Sequence, residues 1–394
     1  MRIAIDGRTI VRMRSGVGMY AERIVRALLQ IDHRNEYFLF LTEPSSTLDF
    51  PNLKQVLIKG YDQIFLKQWW ESFSLPRYLE NHKIDLYFSP SYTLPLLPRF
   101  ARFGRMLPIP SSWKIPFNLD RRVKYVVAIH DLVGFALPDT FTLKMRLWQK
   151  LFVSNAVHSA DRILASSEST KRDLFRFFDF DREKVSVVYL SLDEQFARVK
   201  RRKLLAKVRA KYSLPEQFIL AVGTIEPRKN IAGAARAYSL LPSDLRDKCK
   251  LVIAGGKGWH TDAIFGEVNR LGIQADVTFL GFVDQEDLSA LYSLASVFVY
   301  PSLYEGFGFP PLEEMACGTP VITSTRSSLP EVVGDAAIMT EPTDYRTMSD
   351  EISKVLTNRK VQTELIRRGL RQAKRFNWRL AAQRTLKIFE SALE

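Results

Sequence analysis

The sequence predicts an α/β fold of two domains, each a parallel sheet flanked by helices. Three observations predict it. The chain has 394 residues, more than one hydrophobic core ordinarily supports. Short β-branched or aromatic runs alternate with amphipathic stretches, the pattern of βαβ units. That alternation occurs twice, on either side of the basic stretch ARVKRRKLLAKVRAKYSLPEQ.

The first set of elements comprises RIAID, a helix from about Gly18 to Gln30, YFLFLT, QVLIKG, a helix near Lys67 to Asn81, DLYFSP, YVVAIH, RILAS and VSVVYL. The second comprises FILAVG, KLVIAGG, VTFLGF, VFVYPS, PVITS and AAIMTE, with helical segments between them. A domain boundary is expected near residues 197 to 215. The halves share no close sequence repeat, so their likeness is architectural.

Composition narrows the class. With 46% hydrophobic and 25% charged residues the chain is neither disordered nor fibrous. The opening MRIAID runs straight into a strand, without the apolar stretch and cleavage site of a secretory signal, and no apolar run reaches the length of a spanning helix. Two cysteines, Cys249 and Cys317, are too few for a disulfide framework and fit a reducing compartment. A cytoplasmic location is expected.

Parallel sheets bind ligands beyond the carboxyl ends of their strands, which directs attention to four loops. In SGVGMYAERIVRAL, Gly16, Gly18 and Ala21 fit the dinucleotide pattern G-x-G-x-x-G/A on paper. Nine residues separate Asp6 from Gly16, however, whereas that pattern needs its first glycine in a tight turn off the strand. The loop either brings backbone N–H groups near a phosphate or sugar, or simply permits a turn. In VVAIHDL, His130 follows an apolar strand and can donate to a sugar hydroxyl or phosphate oxygen, or be satisfied by the backbone; Asp131 suits a turn cap.

The third loop, AVGTIEPRKNI, puts Arg228 and Lys229 just before a helix. A guanidinium, an ammonium and the positive helix end there suit a diphosphate. The fourth is YEGFGFPPLEE. Gly306 and Gly308 let a ligand approach the backbone closely, Glu305 hangs from the strand end, and Glu313 is placed in the first turn of the following helix. A glycosidase pair needs one protonated carboxyl. Glu313 beside a helix N-terminus is expected to stay ionised, so two carboxylates gripping different hydroxyls is the better account. Asp179 and Asp181 match a D-x-D metal pattern, but lie between a helix and a strand at the wrong end of the sheet; no metal is expected.

Together, the EPRKN segment, the E-x7-E of Glu305 and Glu313, the run GFGFPPLEEMACGTPVITS and the following LPEVVG resemble the retaining, nucleotide-sugar-dependent glycosyltransferases of family 4. The match runs from the first strand to the last helix and is densest from about Phe218 to Pro342. The resemblance implies the GT-B fold: two facing Rossmann-like domains with parallel sheets and a cleft between them. Residues 1–197 would form the acceptor domain, with helix 379–394 packing back on it, and 198–378 the donor domain. Arg228 and Lys229 would hold the diphosphate and Glu313 the ribose hydroxyls. Glu305 and the backbone of Gly306, Phe307 and Gly308 would face the donor sugar, and His130 would reach in from the first domain.

Relatives resembling the chain in the EPRKN segment are often mannosyltransferases that use GDP-mannose in bacterial polysaccharide assembly. The implied activity is therefore retaining hexosyl transfer, without cofactor or metal, onto a saccharide or lipid-linked saccharide. Catalytic roles fall to Glu305, His130 and Lys229, and substrate binding to Gly16, Gly18, Arg228, Gly306, Phe307, Gly308 and Glu313. Phe282 and Val283 are candidate walls for the donor base.

The formal charge of +14 bears on partners. From Arg99 to Lys124 there are seven Lys or Arg against Asp120 alone, interleaved with Phe, Leu, Ile and Trp113. Residues 99–122 therefore either dock on an anionic membrane, placing the protein at its inner face, or cover the cleft or their own domain. Two other classes compete. An NAD-dependent Rossmann enzyme rests on Gly16, Gly18 and Ala21 but leaves Arg228, Lys229 and the glutamates without a task. A nucleic-acid-binding protein would explain the charge, yet no such motif is present, and no nucleic acid is expected as a partner.

Overall fold

The structure, a computed structural model, describes residues 1–10, 16–58, 70–96, 123–259 and 261–394. They form two compact units, Met1–Leu190 with Trp378–Glu394, and Ser191–Asn377. The division falls a few residues before the expected boundary.

In the first unit seven strands form one sheet in the order β3-β2-β1-β4-β5-β6-β7. They are β1 (Arg2–Asp6), β2 (Glu36–Leu41), β3 (Leu53–Leu57), β4 (Leu86–Ser89), β5 (Lys124–Ile129), β6 (Arg162–Ala165) and β7 (Val185–Val187). All neighbours are parallel. Central strands such as EYFLFL and LYFS are buried along nearly their whole length, as sheets covered on both faces require, whereas the edge strand LKQVL keeps Lys54 and Gln55 in solvent. The helix Gly16–Ile31 buries Tyr20, Ile24 and Leu28 at helical spacing. The last helix, Trp378–Leu393, joins this unit: its Trp378 ring lies 6.1 Å from Tyr20 and its Phe389 ring 5.2 Å from Phe88.

The helix expected near Lys67 to Asn81 is shorter. An α-helix spans Leu75–Asn81, preceded by a π turn at Trp70–Ser74, and residues 67–69 lie outside the described residues. The wider turn carries buried Glu71 to Arg8, whose guanidinium sits 3.1 Å from Glu71 and 2.7 Å from Asp6. A buried charge group overrides the α pattern here.

The second unit repeats the arrangement with six parallel strands in the order β10-β9-β8-β11-β12-β13. They are β8 (Gln217–Val222), β9 (Cys249–Ala254), β10 (Val277–Gly281), β11 (Val297–Tyr300), β12 (Val321–Ser324) and β13 (Ile338–Thr340). The basic stretch is no linker. It supplies the helix Arg202–Lys211, whose Val208 is buried and whose Lys211 reaches Asp284 at 2.7 Å and Asp287 at 2.5 Å.

Both sheets have the doubly wound order in which strand direction of travel reverses once, between β1 and β4 and between β8 and β11. The loops leaving β8 and β11 are AVGTIEPRKN and YPSLYEGFG, so the fold itself brings them together.

On the other side of β8, where it neighbours β9, the backbones run close. Gly255, just past β9, has φ +152°, and a Cβ there would lie 1.9 Å from the Gly223 carbonyl oxygen. Gly255→Ala should therefore destabilise the second unit by about 2 to 4 kcal/mol, through strain and forced backbone separation. Urea unfolding of the variant beside wild type measures it.

Candidate active site

Beyond β8, Glu226 leads into a 3-10 turn, Pro227–Lys229, and Asn230 in the left-handed region (φ 52°) starts the helix Ile231–Ser239. The Asn230 amide donates to the carbonyls of Pro301 (3.1 Å) and Pro342 (2.8 Å). The Arg228 carbonyl accepts from the Leu303 N–H at 2.9 Å. These bonds tie the EPRKN loop to the loop beyond β11.

That second loop is held by serines. Ser328 donates to the carbonyls of Glu305 (2.9 Å) and Phe307 (2.8 Å), and the Glu305 N–H donates to Ser327 (2.7 Å). Gly308 (φ 102°) precedes the helix Phe309–Cys317, and a Cβ on it would meet Leu329 at 2.7 Å. Pro310 fits the first turn, where a missing N–H costs no bond, and left-handed Gly318 (φ 79°) ends the helix.

The loops meet through charge. One Glu305 oxygen accepts from Lys229 Nζ (2.8 Å), the Tyr300 hydroxyl (2.9 Å) and Ser302 (2.7 Å); the other faces Arg228 at 2.9 Å. Arg228 also grips Glu226 through Nε (3.0 Å) and Nη2 (2.6 Å), and donates to the Tyr304 carbonyl (2.8 Å). Burial would push the Glu305 carboxyl up, but the charges of Arg228 and Lys229 and the bonds from Lys229 and Ser302 hold it down at about 2. Lys229 is lowered from its usual range, by burial first and then by Arg228, with Glu305 opposing. Two cations thus face two carboxylates, Glu226 and Glu305.

Glu313 departs from the sequence expectation. It lies beyond the first turn of its helix, so the terminal N–H groups do not support its charge. It is buried, and burial pushes its carboxyl up to about 7, helped by Asp193, although the Tyr292 hydroxyl donates to it at 2.8 Å and Lys229 pulls the other way. The expected permanently ionised carboxylate is therefore poised between its two forms. Its neighbour Glu314, fully buried, is pushed well above the ordinary carboxylate range.

In the first unit, His130 follows β5. Its Nε2 donates to the Pro90 carbonyl at 2.7 Å and its ring packs edge-on against Tyr20 (4.6 Å) and Tyr92 (5.4 Å). Burial lowers its pKa, leaving a neutral ring whose Nδ1 accepts rather than donates. The expected donation to a ligand thus becomes acceptance. Asp131 caps the Val133 N–H at 3.2 Å, the turn role expected of it.

Gly16 is exposed at the start of its helix and Gly18 is buried within the first turn, whereas Gly7 takes the turn directly off β1. The dinucleotide pattern is accordingly displaced from the turn that would need it. Phe282 is exposed and Val283 buried. Asp181 caps the short turn Arg182–Lys184, and among the described residues no cluster of His, Cys, Asp and Glu is arranged to hold a metal. Residues 99–122 lie outside the described residues.

Sequence reasoning missed Glu226, Tyr300, Ser302 and Tyr292. Glu226 stands two residues before Arg228, close enough for one of its oxygens to accept from both Nε and Nη2 of the guanidinium. The two tyrosines read as apolar positions in a strand and a helix.

Two Rossmann-like units with parallel sheets, and cation–carboxylate loops at a strand-order reversal, agree with the GT-B fold, to which the solved structures similar to this chain belong. In fold the chain is similar to sucrose-phosphate synthase from Thermosynechococcus elongatus, with a TM-score of 0.73 and 20% identity over 99% of this chain and 98% of that one. It is also similar to HepE from Anabaena, solved in complex with UDP-glucose, with a TM-score of 0.72 and 16% identity over 99% and 100%. Residues 14–196 match Glycosyltransferase Family 4 and residues 206–372 match the glycosyl transferases group 1. The chain is 35% identical over 280 residues to O-antigen chain mannosyltransferase B of Escherichia coli, covering 71% of this chain and 72% of that protein. It is 35% identical over 276 residues to the serotype-specific mannosyltransferase WbdA of Escherichia coli, of which the match spans only 34%. The chain belongs to this glycosyltransferase family.

The raised Glu313 carboxyl has a signed effect on stability. Below pH 4.5 it is protonated folded or unfolded; between 4.5 and about 7 the unfolded chain sheds a proton that the folded chain keeps, so stability falls across that window. Glu313→Gln retains an acceptor for Tyr292 and should be more stable than wild type above pH 7, by an amount on the order of 3 kcal/mol that vanishes below pH 4.5. Thermal melts of both proteins across that range measure the difference.

Proposed function

We propose that the chain is a retaining, metal-independent hexosyltransferase that moves mannose from GDP-mannose onto a saccharide or lipid-linked saccharide acceptor in surface polysaccharide biosynthesis. The observation that carries this is the convergence of Arg228 and Lys229 on Glu305 at the end of β11. The mannosyltransferase names of the 35% identical relatives support the sugar.

The chemistry follows from the site. The bond from the sugar C1 to the diphosphate oxygen breaks, the acceptor oxygen bonds to C1 on the same face, and the acceptor proton passes to the leaving phosphate. Departure needs fixed positive charge, supplied by Arg228 and Lys229. Two of the three Lys229 N–H bonds go to Tyr300 and Glu305, leaving one for a phosphate oxygen. Glu305, kept ionised, sets negative charge beside the developing oxocarbenium ion, and the N–H groups of Gly306, Phe307 and Gly308 face the donor sugar. Glu313 takes the ribose hydroxyls, which favour its ionised form. Neutral His130 accepts from a sugar hydroxyl through Nδ1, and Gly16 and Gly18 border the phosphate or acceptor.

Lys229→Ala or Glu305→Gln should lower turnover at least ~100-fold, the scale of losing one such electrostatic group. Product formation from GDP-mannose, with UDP-glucose and other nucleotide sugars as controls, measures it; rates near wild type would remove these residues from the mechanism. The new linkage should keep the donor's anomeric configuration by NMR, and EDTA should leave the rate unchanged.

A further inference from the structure

The helix Leu143–Ser159 is built in two parts. Its buried residues, Phe152, Val153, Asn155, Ala156 and Val157, all lie in the second half, and Val153, Ala156 and Val157 join the core of the first unit. The first half has no fully buried residue, although Met145, Arg146, Trp148 and Gln149 are partly covered. Instead Leu143 is 70% exposed, Leu147 59% and Leu151 55%.

Their spacing of four residues places the three leucines within about 80° of arc on one side of the helix. Cations border that stripe on both sides. Lys150 and Arg146 fall on one flank and Lys144 on the other; the helix itself contains no acidic residue, and Arg146 lies 3.9 Å from the exposed Asp139 that precedes it. Thr142 caps the start by accepting from the Met145 N–H, and Gln149 accepts from the Gly134 N–H at 2.8 Å, so the exposed turns are held as helix. A leucine ridge with basic flanks, standing clear of the core it is rooted in, is a shape that water alone does not favour.

We propose that the first turns of the helix Leu143–Ser159 are a docking surface for an anionic lipid bilayer. The leucines enter the boundary between headgroups and acyl chains while Lys144, Arg146 and Lys150 meet lipid phosphates. A second copy of the chain is disfavoured, because pairing this stripe with itself would bring three cations against three. Among the described residues no helix is long and apolar enough to cross a membrane. The surface belongs to the first unit, whereas Glu305, Arg228 and Lys229 belong to the second, and the proposal goes beyond the transferase reading without depending on it.

Vesicle binding is measured without any sugar nucleotide, so its outcome is independent of the proposed reaction. Wild type should sediment with vesicles of mixed phosphatidylglycerol and phosphatidylcholine but not with phosphatidylcholine alone. Leu147→Ser with Leu151→Ser, and separately Lys144→Gln with Lys150→Gln, should each weaken that binding at least ~tenfold with the melting temperature retained. A fluorophore on Leu147→Cys should shift to the blue on anionic vesicles, the native Cys249 and Cys317 being buried. The proposal falls if wild type ignores anionic vesicles or if the leucine variant binds them as wild type does. It falls too if that variant turns a dimer into a monomer with vesicle binding unchanged, which would make the stripe an interface between copies. Binding that survives the leucine changes but is lost on Arg99→Gln, Arg102→Gln and Arg105→Gln would move the dock to residues 99–122 and overturn it equally.

Discussion

The carboxylate of Glu305 is the constraint on which the loops beyond β8 and β11 depend. Two loops leave different strands of one sheet, and each brings charges whose burial would be prohibitive alone. Joined, they satisfy one another: Lys229, Tyr300 and Ser302 fill one oxygen of Glu305, Arg228 faces the other, and Glu226 keeps Arg228 aimed. Serines and Asn230 then secure the backbone around this group.

Charge balance within that group qualifies the picture of a bare cationic clamp. Arg228 and Lys229 are matched by Glu226 and Glu305, so the group consists of two neutralised pairs rather than two unopposed cations, and on the proposed function a diphosphate would meet it in that state. Attraction then rests on particular N–H directions, as oriented dipoles do in a preorganised site.

Much of this was legible in the sequence, for identifiable reasons. Strands buried on both faces spell continuous apolar runs, so FILAVG and VFVYPS declared themselves, and the glycines and prolines around Glu305 announced a loop entering a helix. Burial by distant elements was not legible. Glu313 looks like a residue stabilised by a helix start until Tyr292, from the helix Gln285–Leu294, is seen beside it. Glu71 belongs to an ordinary helical pattern until Arg8 draws it into a π turn. Leu143, Leu147 and Leu151 carry the spacing of a core-facing stripe, and only the fold shows that nothing covers them.

One consequence follows from the paired glutamates in the helix Phe309–Cys317. Counting every carboxyl as ionised makes the chain +14 at neutral pH. Burial lifts Glu313 to about 7 and Glu314 well above its ordinary value, so both hold on to protons that an unfolded chain would surrender. At these two positions folding is thus coupled to proton uptake, and counting both as fully ionised overstates the negative charge they carry in the native molecule.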